Sequence, residues 1–203
     1  MKSILHIAVP LLVGFSASTP VLAQEVDAYF GLGTVHASSN GQQIDTFGDG
    51  TLHPTPGIGG VVTNFGANFF FSRQVGVGWT GAWKFSSADY AGLQYNASFQ
   101  TFDGIYQPAQ IRTKRFAPEL RAGLGWANVQ FESPDQPSCD QVPGCPGAHF
   151  LVVHGAGAAR LYVTDHVFLR PAVDVNFVHD FFPFGSHWVP RFSMSVGYSF
   201  GRE

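Results

Sequence analysis

From Gln24 onward, apolar and polar residues alternate with a period of two. In the last such segment Phe192, Met194, Val196, Tyr198 and Phe200 share one face, while Arg191, Ser193, Ser195, Gly197 and Ser199 share the other. Val167, Leu169, Pro171, Val173, Val175 and Phe177 oppose Arg170, Ala172, Asp174 and Asn176 in the same way. So do Val75, Val77, Trp79, Trp83 and Phe85 against Gly76, Gly78, Thr80, Ala82 and Lys84. Successive side chains of a strand point to opposite faces, and frequent Gly and β-branched residues argue against helix. The pattern predicts strands over 25–35, 57–71, 75–86, 94–107, 115–131, 149–163, 166–179 and 189–201. In 115–131 the apolar face runs Phe116, Leu120, Leu124, Trp126 and then changes phase to Val129 and Phe131. A bulge near Asn128 is the expected cause.

The links between strands alternate in length. The turns at 72–74, 108–114 and 164–166 are short, whereas 36–56, 87–93, 132–148 and 180–188 are longer and rich in Gly, Ser, Pro, Asp and Asn. Short turns on one side and long loops on the other are the asymmetry of outer-membrane barrels. The fold class expected is all-β: an eight-stranded antiparallel up-and-down transmembrane β-barrel.

Composition sharpens this reading. Charged residues make up 12% of the chain and aromatics 15%, against roughly 25% charged in ordinary soluble domains. A soluble sandwich or barrel would have too little polar surface, whereas a chain surrounded by lipid has no such need. The face assigned to the interior is mostly small, with charges of both signs: Asp27, Lys84, Asp103, Glu119, Arg121, Arg160, Arg170, Asp174 and Arg191. A closed lumen demands such balance, because an unpaired buried charge costs several kcal/mol. Trp83, Phe85, Tyr106, Trp126, Tyr198 and Phe200 stand near strand ends on the apolar face, as aromatic girdles would. The net charge of −3 shows no basic run, so nucleic acid is not an expected partner.

The start of the chain has a compartment signal. Met1-Lys2-Ser3 precedes an apolar run from Ile4 to Phe15 and then Val21-Leu22-Ala23. That pattern predicts a cleaved signal peptide over 1–23 and a barrel domain over 24–203. In an exported chain, Cys139 and Cys145 are expected to form a local disulfide pinning their loop. A zinc site is the alternative, but zinc takes four ligands and only His149 is near. No metal and no cofactor is expected.

Together the signal peptide, the eight alternating strands and the closing strand Phe192-Ser-Met-Ser-Val-Gly-Tyr-Ser-Phe200 resemble the small outer-membrane β-barrel family. The transmembrane domain of outer membrane protein A and the outer-membrane barrel-domain proteins typify it. The stretch Arg115-Phe-Ala-Pro-Glu-Leu-Arg-Ala-Gly-Leu-Gly125 looks like a central strand of the latter. The resemblance implies that Phe200 is the assembly signal read by the barrel-assembly machinery, although Gly201-Arg202-Glu203 follow it. It implies outer-membrane lipids as surroundings and a bacterial outer-membrane location. The wall-anchoring role of two-domain relatives is not implied.

Chemistry is sparse. Lipid A deacylases of this size resemble a His-x-Ser pair plus a carboxylate. Of His36, His53, His149, His154, His166, His179 and His187, only His36 is followed two residues later by Ser, in His36-Ala37-Ser38. His179, Asp180 and Ser186 are close in sequence, but neighbours on a strand face opposite ways. Glu119 with Arg121, and Arg170 with Asp174, read as interior ion pairs rather than acid–base machinery. Asn96-Ala97-Ser98 matches a glycosylation acceptor, uninformative in a bacterial compartment, and Gly155-Ala-Gly157 lies in a strand, without the helix a phosphate loop needs. The expected role is non-enzymatic, structural or surface-interacting, through loops 36–56 and 132–148. A narrow pore for small solutes and a lipid-modifying enzyme are the alternatives.

Overall fold

The computed structural model describes residues 25–45, 50–132, 147–179 and 186–201. Segment 1–23, Cys139, Cys145 and Asp180 lie outside them, as do most of 132–148 and part of 36–56. The strands are β1 (Glu25–Ala37), β2 (Gln43–Ile44), β3 (His53–Pro54), β4 (Ile58–Phe70), β5 (Val75–Lys84), β6 (Ala88–Tyr90), β7 (Leu93–Tyr106), β8 (Phe116–Glu132), β9 (Gly147–Tyr162), β10 (Val167–Val178) and β11 (Trp188–Phe200). A single short 3₁₀ turn, Ala109–Ile111, lies between β7 and β8.

Eight of these strands close on themselves. β1, β4, β5, β7, β8, β9, β10 and β11 pair in sequence, and β11 returns to β1, with Val26 opposite Phe200 and Val35 opposite Arg191. All eight pairings are antiparallel. The expected all-β, up-and-down barrel of eight strands is the fold observed. Closure leaves no edge, so backbone donors and acceptors are satisfied from strand to strand, as hydrocarbon requires. The ladder between β9 and β10 skips Arg170 and Pro171, the latter lacking an N–H, between Leu169 opposite Leu161 and Ala172 opposite Ala158.

Strand parity sorts the side chains. Phe30, Leu120, Leu124, Val173, Phe192, Met194 and Val196 point outward and are exposed, while the alternate positions are buried inside. A chain folding in water would not present this wall of large apolar residues. Facing lipid, it is the ordinary arrangement.

The expected bulge at Asn128 is absent. β8 keeps one register against β7, from Tyr106 opposite Leu120 to Gln94 opposite Glu132, and one against β9, from Phe116 opposite Leu161 to Gln130 opposite Gly147. Val129 is buried because it points into the lumen, in phase with Glu119 and Arg121. What changes near Asn128 is the environment, not the geometry. Towards the loop end the lumen becomes apolar and the outer wall polar.

β7 shows the same inversion. Tyr95, Ala97 and Phe99 are buried inside, with Asn96, Ser98 and Gln100 outside; beyond them Asp103 is buried inside and Phe102 is exposed outside. The barrel is therefore inside-out over its membrane section and conventional above it.

The boundary has an energetic consequence. Leu124→Arg is expected to weaken folding in vesicles by about 2–4 kcal/mol, whereas Asn96→Arg costs about 0–1. Urea unfolding of the two variants in lipid vesicles measures the difference; equal costs would remove the inversion.

Candidate functional site

Two regions carry the polar chemistry: the charged section of the lumen and the loop end above it. The first arises because inward positions of eight strands converge in a tube narrow enough for side chains to fill. Asp27, Lys84, Asp103, Glu119, Arg121, Arg160, Arg170, Asp174 and Arg191 are all buried there. Glu25 and His154 join them.

The charges form two linked groups. Nearer the short turns, Arg160 Nη1 lies 2.7 Å from Asp27 Oδ2 and also contacts Glu25, while its Nε is 2.9 Å from Glu119 Oε1. The other oxygen of Glu119 accepts from Arg170 Nε at 3.1 Å. Ser199 donates to Asp27 Oδ1 at 2.6 Å. The second group is centred on His154. Its Nδ1 is 2.6 Å from Asp103 Oδ1 and its Nε2 is 3.0 Å from Asp174 Oδ1. Arg121 Nε lies 3.6 Å from Asp103, and Arg191 Nη2 lies 3.3 Å from Asp174.

A neutral imidazole donates from one nitrogen only. Both His154 contacts are hydrogen bonds only if the ring is an imidazolium or one aspartic acid keeps its proton. Either way, the three groups hold one proton in common. Apart from the proton shared around His154, the lumenal charges balance: Glu25, Asp27, Asp103, Glu119 and Asp174 against Lys84, Arg121, Arg160, Arg170 and Arg191. Lys84 is the exception in position. Among the described residues no carboxylate lies within ion-pair distance, and its Nζ sits 4.7 Å from the Tyr95 ring centre.

Aromatic faces complete the cations' surroundings. Arg160 lies over Phe70 and Arg170 over Tyr29, each at 4.6 Å. Glycines make the room: a Cβ at Gly78 would meet Arg121 Nη2 at 2.1 Å, and one at Gly197 would meet the Phe168 ring at 2.2 Å.

Above the charges, Val35, Val62, Ala82, Phe99, Ala127, Val129, Val152, Val178 and Val189 form one buried apolar cluster with Tyr90 and Tyr95. Residues of the loop end sit against it. Tyr95 donates from its hydroxyl to the Gly57 carbonyl, and Tyr90 meets His53 edge-on at 6.1 Å. The first long link is tied by its own hydrogen bonds, Thr55 Oγ1 to Asn40 Oδ1 at 2.7 Å and Thr55 N to Gln42 O at 2.8 Å.

Trp126, Phe85, Tyr106, Tyr198 and Phe200 are exposed on the outer wall, and Trp83 stacks on Phe65 at 4.3 Å. The sequence reading missed Glu25 and His154. Parity was the available signal for His154, which shares a face with Arg160 six residues on. Glu25 shares one with Asp27. The Ser38 hydroxyl lies 3.1 Å from His36 Nε2 at the exposed loop end, and Asp180, the carboxylate beside His179, lies outside the described residues. The Ser186 hydroxyl donates to the Trp188 carbonyl at 3.0 Å, and the His187 ring meets the Val178 carbonyl.

Removing Glu119 takes a carboxylate from two arginines at once. Glu119→Ala is expected to destabilise the barrel by about 3–5 kcal/mol, the cost of leaving buried charge uncompensated. His154→Leu should cost less, because Asp103 and Asp174 each keep an arginine. Urea unfolding in vesicles gives the order; the reverse order would contradict this network.

No protein-family model matches the chain, and no curated protein matches it in sequence. Solved structures do match in shape. The outer membrane protein OprG from Pseudomonas aeruginosa superposes with a TM-score of 0.57 at 14% identity, covering 88% of this chain and 96% of that one. Neisserial surface protein A gives 0.54 at 13%, covering 88% and 97%. Ail, the attachment invasion locus protein of Yersinia pestis, in complex with the heparin analogue sucrose octasulfate, gives 0.56 at 10%, covering 87% and 99%. The chain shares the fold of these small outer-membrane barrels.

Proposed function

We propose that this chain is a sealed, non-enzymatic barrel of the bacterial outer membrane that acts by presenting its loop end. One observation carries the reading: the lumen is closed in two successive layers. Arg160, Glu119 and Phe168 in the charged section, and Ala82, Ala127, Val152, Val178 and Val189 above, are each 1% exposed or less. Side chains lining a water path would retain area open to water. Among the described residues the upper layer holds one charge, Lys84, whose ammonium sits over the Tyr95 ring rather than along a polar path.

The loop end favours partners of a particular charge. Its long links contain Asp45, Asp49, Asp89, Asp135, Asp140 and Asp180 and neither lysine nor arginine. Outside the lumen, Arg73, Arg112, Lys114 and Arg115 lie in the links at the opposite end. An acidic crown repels polyanions. The polysulfated ligand in the Ail complex therefore has no electrostatic counterpart here, despite the shared fold. Links 36–56 and 132–148 supply the contacts in this reading, with Cys139 and Cys145 bridged. Phe200 and the assembly machinery bring the barrel to its membrane.

Refolded protein in a planar bilayer is expected to give no discrete conductance steps; regular single-channel events would replace this reading with the pore. Immobilised heparin at physiological ionic strength should retain none of the protein, and retention would overturn the charge argument.

A further inference from the structure

The polar outer wall above the membrane section is not uniform around the barrel. At the loop end of β10 and β11 the outward positions are Phe177 and Trp188, packed edge to face at 5.0 Å. On β7 and β8 they are instead Asn96, Ser98, Gln100, Asn128 and Gln130, beside the half-exposed Trp126. The register makes these one patch: Gln100 stands opposite Trp126, Ser98 opposite Asn128, and Asn96 opposite Gln130.

The patch has an unusual chemistry for a wet surface. Soluble surfaces are roughly 25–35% Lys, Arg, Glu and Asp, yet these five outward positions carry no charge. Carboxamides and a hydroxyl offer donors and acceptors together, as a polyhydroxylated ligand requires, and the indole supplies a flat apolar face for its C–H groups. Two amides are already oriented. Asn128 Oδ1 is fixed by the His149 ring at 2.6 Å, and Asn96 Oδ1 accepts the Ala97 N–H at 2.8 Å. Both side chains thus aim their NH₂ groups away from those contacts.

Position identifies the source of the ligand. The patch lies on the side of the barrel, immediately above Phe102 and Trp126, whose exposed rings mark the interface at headgroup level. It faces sideways into the headgroup layer rather than upward from the loop tips. The acidic links overhead and the missing cations disfavour phosphate or sulfate as the group recognised.

We infer that this wall of β7 and β8 is a contact surface for the uncharged sugars of glycolipid in the outer leaflet. The inference rests on the outer-membrane placement and not on the sealed lumen, so channel activity would leave it standing. One glycolipid sits with its sugar plane against Trp126 and its hydroxyls on Gln100, Asn128 and Ser98. Its phosphates stay with solvent cations.

The test uses the refolded barrel and a Gln100→Ala/Asn128→Ala variant in phosphatidylcholine vesicles. One set contains lipopolysaccharide with its core sugars, another contains lipid A lacking them, and a third contains free core oligosaccharide in solution. Glycolipid retained per protein is read by mass spectrometry after mild detergent extraction. The parent should retain several-fold more of the sugar-bearing lipid than of lipid A, the variant should lose that excess, and free oligosaccharide should not bind. Equal retention of the two lipids, or an unchanged variant, overturns the proposal; binding of free oligosaccharide to the parent overturns the membrane source. Should the double variant fail to show the heat-modifiable gel shift of a folded barrel, Gln100→Ala alone is read in its place, under the same criteria.

Discussion

Backbone hydrogen bonding without water is the constraint from which this structure follows. In hydrocarbon a peptide N–H has no outside partner, so a sheet that crosses a membrane must close. Closure of eight sequential strands fixes which alternate residues point in and which point out, and an unbroken register preserves that parity from the turns to the loops. β8 holds it across its full length against both neighbours. Each side chain is then assigned to lipid, lumen or water by two coordinates only: its parity and its height.

The second coordinate explains where the sequence was legible and where it misled. Strand positions could be read closely because alternation is strong in the membrane section, where outside is apolar and inside is polar or small. The observed β5, Val75–Lys84, and β11, Trp188–Phe200, fall within two residues of expectation at each end. At the loop end both environments exchange roles. Val129 inside and Asn128 outside then look like a slipped strand to any reading that assumes one polarity for one face. A bulge changes parity; a boundary changes solvent. Only the register separates the two, and a single sequence does not contain it.

The interior was legible for the same reason and with the same gap. Arginine and aspartate on a strand through lipid can point only inward, so Arg160, Arg170 and Asp174 identify themselves. Histidine has no such compulsion, because it is at home in loops and girdles as well. His154 becomes a lumenal residue only when its parity is counted from Arg160, and its role appears only when Asp103 of β7 and Asp174 of β10 arrive at its two nitrogens. Those partners are 51 and 20 residues away. Pairing across a barrel is a property of closure, not of any local pattern.

The two solvents also divide the labour of the molecule. The lumenal arginines and carboxylates partner one another, and the layer above them is apolar apart from Lys84. In the function proposed above, the interior holds the wall in shape and recognition falls to surfaces outside it. Charge is segregated as well: among the described residues lysine and arginine occupy the lumen and the short-turn end, the sequence of the long links is acidic, and neutral amides occupy the loop end of the β7–β8 wall. A barrel wall normally serves as a support for its loops. In the inferred placement its upper part meets the headgroup layer directly, and its side chains differ from those of β10 and β11 at the corresponding strand ends. A passive collar would have no reason for that one-sidedness, because lipid surrounds the barrel on every side.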